Sequence, residues 1–285
     1  MQLTAHTLAL AGALCSASAT VFIRQGLRDA NAYTAFWINV VVGVIGIWVA
    51  VFLIVPADAF HAGALPFFIL SGLVGTVAGR LARFVGIQKV GAPVAAAITN
   101  LNPFISTGLA ILLLGERITL PILSGTLVIV WGTVLLSLSG KRVGFRVRSL
   151  AYPFLSAACF GTVAIIRKVG LSQTGPLFGS AINITTALIA FTTFLIISGN
   201  RQALVCKGRS LWYFIGAGAA ENAGVFLVLV ALSLGEVSVV VPLFGTAPLF
   251  VLLMTYVFLR GIDRLSWRLV LGATLIVLGV FLLMV

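Results

Sequence analysis

Residues 65–88 read LPFFILSGLVGTVAGRLARFVGIQ. The run is long enough to cross a bilayer, which takes about 20 predominantly apolar residues, yet it carries Arg80 and Arg83. A guanidinium at the bilayer centre costs at least ~2.5–3.5 kcal/mol on insertion scales, so it must face protein or water rather than lipid. A single helix offers no such shelter. The stretch therefore calls for a bundle of spans, with a pathway or a binding cavity where the arginines point.

The rest of the chain supplies the bundle. Of 285 residues, 61% are hydrophobic and 8% charged, against roughly 45–50% and about 25% in soluble domains. The net charge of +12 does not indicate nucleic acid, because the basic residues occupy short loops between apolar runs rather than one face of a soluble domain. Ten runs have span length, at 7–26, 32–55, 65–88, 92–114, 119–139, 150–169, 176–198, 211–234, 237–259 and 266–284. Residues 7–22 look like a secretory signal but no Lys or Arg precedes Arg24, so they are read as the first span. Cys15, Cys159, Cys206, His6 and His61 show no metal-site spacing, and neither a metal nor a cofactor is expected.

The second half repeats the first. At an offset of about 144, Cys159 falls on Cys15, Gly170 on Gly26 and Asn183 on Asn39. Further on, Pro248 falls on Pro103, Asp263-Arg264-Leu265-Ser266 on Glu116-Arg117-Ile118-Thr119, and Gly272 and Gly279 on Gly125 and Gly132. Each glycine pair lies close to two turns apart, on one helix face, where small residues let backbones approach. Five spans per repeat is an odd number, so the halves 1–140 and 141–285 are expected to have opposite orientations. The expected fold class is all-α: a polytopic membrane protein with ten transmembrane helices in two inverted five-helix repeats.

Loops after odd-numbered spans hold most of the basic residues, among them Arg24, Arg28, Lys89, Arg148, Arg201, Lys207, Arg209 and Arg268. Loops after even-numbered spans hold only Arg117, Arg167 and Lys168. By the positive-inside rule both termini lie outside.

The stretch Gly91-Ala92-Pro93-Val94-Ala95-Ala96-Ala97, then Asn102-Pro103, then Leu114-Gly115-Glu116-Arg117 resembles the end of an EamA repeat of the drug/metabolite transporter superfamily. Gly235-Glu236-Val237, Ala247-Pro248-Leu249-Phe250 and the Gly272–Gly279 pair resemble the same element. The resemblance implies a ten-helix inner-membrane transporter, with a central cavity lined by spans 1, 3, 4, 6, 8 and 9. Relatives move amino acids, other metabolites, vitamins or drugs, mostly outward. Asp263 stands where the family usually has Glu, and the family more often keeps both termini in the cytoplasm, against the charge count.

Within that frame, Arg80 in span 3 and Glu221 in span 8 come to similar depth at 1.5 Å rise per residue, and they are expected to face each other. That arrangement either only fixes the bundle or binds substrate and a coupling proton. Arg83, at i+3, shares the face of Arg80; it either joins the cavity or snorkels toward Lys89. Surplus positive charge favours an anionic or zwitterionic substrate, since Arg matches carboxylate or phosphate by paired bonds. Asn100 and Asn102 precede Pro103, and Thr246 lies between Pro242 and Pro248. Broken helices at matched places in two halves point to a substrate site, or are simple kinks. Asn39 and Asn183 are read as interhelical glue. Asn222 points about 100° away from Glu221, so both need not face one cavity, and Glu116 is read as an acid suiting the N-terminus of the following helix.

The function expected is a secondary transporter exporting a small metabolite by alternating access. The alternative is a flippase for a headgroup-bearing lipid; an intramembrane enzyme lacks any constellation of catalytic residues. The expected partners are a small-molecule substrate, the lipid bilayer and a coupling proton, with oligomeric state open, a homodimer included.

Overall fold

A computed structural model describes residues 2–54, 62–90, 95, 98–117, 119–137, 147–258 and 267–284. Motif residues 91–94, 96–97, 118 and 263–266, together with His61, lie outside the described residues. Among those described, ten helical spans follow one another and no strand occurs. They are α1 (Gln2–Gly26), α2 (Ala32–Ile54), α3 (Ala62–Val90), α4 (Asn102–Leu114), α5 (Leu120–Ser137), α6 (Ala151–Leu171), α7 (Pro176–Ile197), α8 (Arg209–Leu234), α9 (Val237–Phe244, then Ala247–Phe258) and α10 (Trp267–Met284). By length and composition α1, α2, α3, α6, α7 and α8 can each cross a membrane, and the others are shorter apolar helices.

Two spans depart from the sequence expectation. The fourth span is helical at Ala95, Ile98 and Thr99, turns at Asn100 and Leu101, and resumes as a helix at Asn102, with Pro103 in the first turn of that segment. There the missing N–H of proline costs nothing, because the first turn has no intrahelical acceptor for it. The ninth span is interrupted at Gly245 and Thr246, and Pro248 opens its second segment. The two breaks meet, since a Cβ on Gly245 would lie 3.7 Å from Pro103.

Packing exchanges the halves. The neighbours α1 and α8 correspond to α6 and α3; α4 beside α6 corresponds to α9 beside α1; α2 pairs with α7, and α5 with α10. Lipid tails give no hydrophobic drive for helices to associate, so close backbone approach and buried polar bonds do the work. In the α5–α10 pair a Cβ on Gly132 would fall 2.7 Å from Gly272 O, and one on Gly279 would fall 2.8 Å from Gly125 O. Between α2 and α7, Trp48 Nε1 donates to Thr185 Oγ1 at 2.8 Å, and Trp37 Nε1 to Thr192 Oγ1 at 3.1 Å.

One residue breaks the exchange. A Cβ on Gly72 would meet Asn183 O and Thr186, and one on Gly218 would meet Asn39 and Val42. Farther along, one on Gly79 would meet Cys159 and one on Gly224 would meet Cys15. Those neighbours are all 144 apart, so Gly72 stands for Gly218 and Gly79 for Gly224. Seven residues in α3 therefore do the work of six in α8. The extra residue lies in the π-helical stretch Gly72–Arg80, whereas α8 is α-helical from Arg209 to Leu234. A π-turn is how a helix absorbs an insertion, and such turns are frequent at functional sites. The inserted residue is taken up within that stretch, so Gly79 regains the place that Gly224 holds in α8, and Arg80 and Arg83 follow directly after it.

The glycine seam gives a test. Gly132→Val drives a branched side chain into Gly272 O and Ile276 N, backbone atoms that have no rotamer to escape through. The thermal unfolding midpoint in detergent is expected to fall, corresponding to about 1–3 kcal/mol. Gly108→Ala, whose Cβ would meet nothing within 4 Å, is expected to leave the midpoint unchanged.

Candidate functional site

A single carboxylate pairs with two guanidinium groups, and a third stands beside one of them. Glu221, near the middle of the 26-residue helix α8 and 4% exposed, faces α3. Its Oε2 accepts from Arg83 Nη2 at 3.2 Å. Its Oε1 stands 3.9 Å from Arg80 Nε, an ion pair too long for a hydrogen bond. Arg80 is itself 3% exposed and donates through Nη1 to Asn39 Oδ1 at 2.8 Å. The expectation that Arg80 and Glu221 face each other is met in geometry, with Arg83 as the closer partner. Arg83 turns into the bundle and does not snorkel away, keeping some exposure while its Nε is buried without a partner.

Arg167 is the third cation. Counted by sequence among the loop residues, it lies within α6, and its Nε donates to Ser71 Oγ at 2.8 Å. It is close enough to Arg80 for the two charges to repel. Asn183 lies between them. Turned so that donors meet acceptors, its amide oxygen takes bonds from Ser71 Oγ (2.6 Å), Gly72 N (3.2 Å) and Arg167 Nη2 (3.3 Å), while its nitrogen donates to Thr76 Oγ1 at 2.8 Å. On the exchanged side, Asn222 Nδ2 donates to Asn39 O at 2.9 Å and to Gly218 O at 2.7 Å. Asn39 and Asn183 join helices as expected, and they also hold two of the arginines.

A small cavity of about 20 Å³ opens beside Arg80. Its walls come from α2, α3, α7 and α8, including Ser180, Asn183 and Asn222. Spans 2 and 7 are therefore part of the polar centre, and of the six spans that the resemblance implied, 3, 6 and 8 contribute to it. Asn222 lines this cavity and Glu221, about 100° round the helix from it, does not.

The other candidates sit apart. The turn residue Asn100 and the helix residue Asn102 each keep one buried amide atom, Nδ2 and Oδ1, without a partner. Thr246 Oγ1 donates to Leu243 O at 2.7 Å, inside the break of α9. No contact among the described residues joins these three to Glu221. They cluster instead where Pro103 approaches Gly245, with Pro242 inside the first segment of α9.

Two charged residues close one end of the bundle. Glu116 accepts from Val237 N and Ser238 N at 3.0 Å each. The acid suits a helix N-terminus as expected, but the helix is α9 and not the one that follows in sequence. Lys168 Nζ donates to Leu232 O at 2.7 Å and Gly235 O at 2.6 Å, satisfying the last carbonyls of α8. Both were legible as charges near span ends; their partners depend on tertiary packing.

Comparison with known proteins bears on this arrangement. The model of the EamA-like transporter family matches residues 3–138 and again residues 148–285. No curated protein matches the chain. A crystal structure described only as that of a protein superposes with a TM-score of 0.78 at 17% identity, over 97% of this chain and 95% of the other. That likeness shows the fold alone.

The shared carboxylate is open to a double-mutant cycle. Glu221→Gln leaves Arg80 and Arg83 without their counter-charge, and loss of one buried partner is expected to cost about 3–5 kcal/mol. Thermal unfolding should show Arg83→Gln/Glu221→Gln losing clearly less than the sum of the two single changes. Strict additivity would remove the pair as a stabilising contact.

Proposed function

Because the chain belongs to the EamA-like transporter family, we propose that it is a secondary transporter exporting a small anionic or zwitterionic metabolite, amino-acid-like or organic acid. The observation that carries the reading is the charge imbalance. Arg80 and Arg83 share one acid, Glu221, deep among the spans, and Arg167, bonded to Ser71, adds a further positive charge beside Arg80. A site with surplus guanidinium attracts carboxylate or phosphate, which it meets with paired bonds. Arg83, partly exposed and with Nε unpartnered, is the group placed to meet the substrate. The unpartnered amide atoms of Asn100 and Asn102 supply further hydrogen bonds where the breaks of α4 and α9 cross, with Thr246 as part of that wall.

In this reading the halves 1–140 and 141–285 are inverted and rock against each other, exposing the cluster to each side in turn. The protein sits in the plasma (inner) membrane with both termini outside, following the distribution of basic loops. Glu221 carries the coupling proton, released or taken up as substrate engages the arginines. The family consists of transporters, and no catalytic step is assigned. A lipid flippase has less support, because Arg80 and Glu221 are 3% and 4% exposed and so do not face the acyl chains.

Transport in proteoliposomes tests the proposal. Arg83→Gln is expected to lower uptake of acidic or zwitterionic metabolites ten- to a hundredfold, corresponding to the ~1.5–3 kcal/mol of a charge-assisted hydrogen bond. Arg83→Lys should recover only part, lacking the fork. A wild-type protein that moved fluorescent phospholipid and no soluble acid would favour the flippase. Glu221→Gln with transport and its pH dependence intact would remove the coupling role.

A further inference from the structure

We propose that the cavity beside Arg80, bounded by α2, α3, α7 and α8, is a binding site for one monoatomic anion of chloride size. Its volume of about 20 Å³ exceeds the ~10–15 Å³ that a water requires, which is enough for a single small ion. Its polar wall is Arg80, Ser180, Asn183 and Asn222, and its apolar wall includes Ile47 and Val225. No carboxylate lines it; Glu221 contacts the arginines from outside that wall.

The wall has donors to spare. Ser180 is 8% exposed, and its Oγ is buried without any partner. The Asn183 nitrogen uses one N–H on Thr76 Oγ1 and retains a second. Arg80 commits Nη1 to Asn39 and holds Glu221 only at 3.9 Å. A hydroxyl, an amide N–H and a guanidinium are a complete donor set for a halide, which accepts from all sides and donates to none.

Charge balance points the same way. The whole sequence has six acidic residues, Asp29, Asp58, Glu116, Glu221, Glu236 and Asp263. Among the described residues Glu221 alone falls inside a span, and Asp29, Glu116 and Glu236 fall in connections between spans. Two guanidinium groups, Arg80 and Arg83, against one carboxylate leave an excess that a neutral water does not neutralise, and uncompensated buried charge is expensive. Arg83 is the guanidinium with access, and Arg80 is sealed, so the two can hold different anions. The site does not rest on the transport reading and would stand if that reading failed.

The test uses the full chain purified in detergent, with bromide and chloride as probes. Replacing gluconate by chloride at constant ionic strength should raise the thermal unfolding midpoint by several degrees, saturably, because a ligand of the folded state stabilises it by mass action. Ser180→Ala should shift the halide dependence severalfold to higher concentration. Ser180→Val, which fills the cavity, should abolish it while the protein remains folded. Crystals grown in bromide should show an anomalous peak against Arg80 and Ser180. Equal midpoints in gluconate and chloride, or an unchanged halide response in both Ser180 variants, would overturn the proposal. Displacement of the bromide by succinate would also overturn it, assigning the cavity to a carboxylate of a larger ligand.

Discussion

The structure depends on a carboxylate that two cations share. Glu221 is the acid that a hydrocarbon-embedded bundle uses to hold Arg80 and Arg83, and its position in α8 obliges α3 to lie directly opposite. Desolvation of ions is expensive, and their mutual attraction repays it only when hydrogen bonds satisfy what is left over. The neighbours supply those bonds: Asn39 for Arg80, with Ser71 and Asn183 for Arg167. Four helices beyond the one named first in the sequence, α2, α6, α7 and α8, are thereby tied to α3 by polar contacts. In a medium where apolar faces have no reason to prefer each other over lipid, such contacts decide which helix sits beside which.

Much of this was legible in the sequence for a simple reason. A charge inside an apolar run has nowhere to hide, so Arg80, Arg83 and Glu221 were conspicuous. So were the glycines at seven-residue spacing, which became the α5–α10 seam. What stayed hidden was of three kinds. Arg167 stands near the end of its span, where a count of loop charges naturally places it, although its side chain turns inward. Asn222 could be set about 100° round the helix from Glu221, but which space it lines depends on tertiary packing. Glu116 announced itself as an acid for a helix N-terminus, but sequence order suggested the wrong helix.

The π-helical stretch of α3 was hidden most completely. An inserted residue in an apolar helix changes neither composition nor hydropathy. Its signal lay in the spacing of small residues: Gly72 to Gly79 against Gly218 to Gly224. Only the neighbours of each glycine show that the first interval matches the second. The helix-break prolines gave the reverse lesson. Pro103 and Pro248 were recognised as interruptions, and each turned out to start a helical segment rather than to bend one.

The insertion has an energetic consequence for the carrier proposed above. Two identical halves related by inversion would make the conformations open to either side mirror counterparts, with equal free energy and equal occupancy. An added residue in only one half lifts that degeneracy. In that reading the unloaded molecule rests facing one compartment more often than the other, so the two sides differ in apparent affinity while the gradient still sets the direction of net flux.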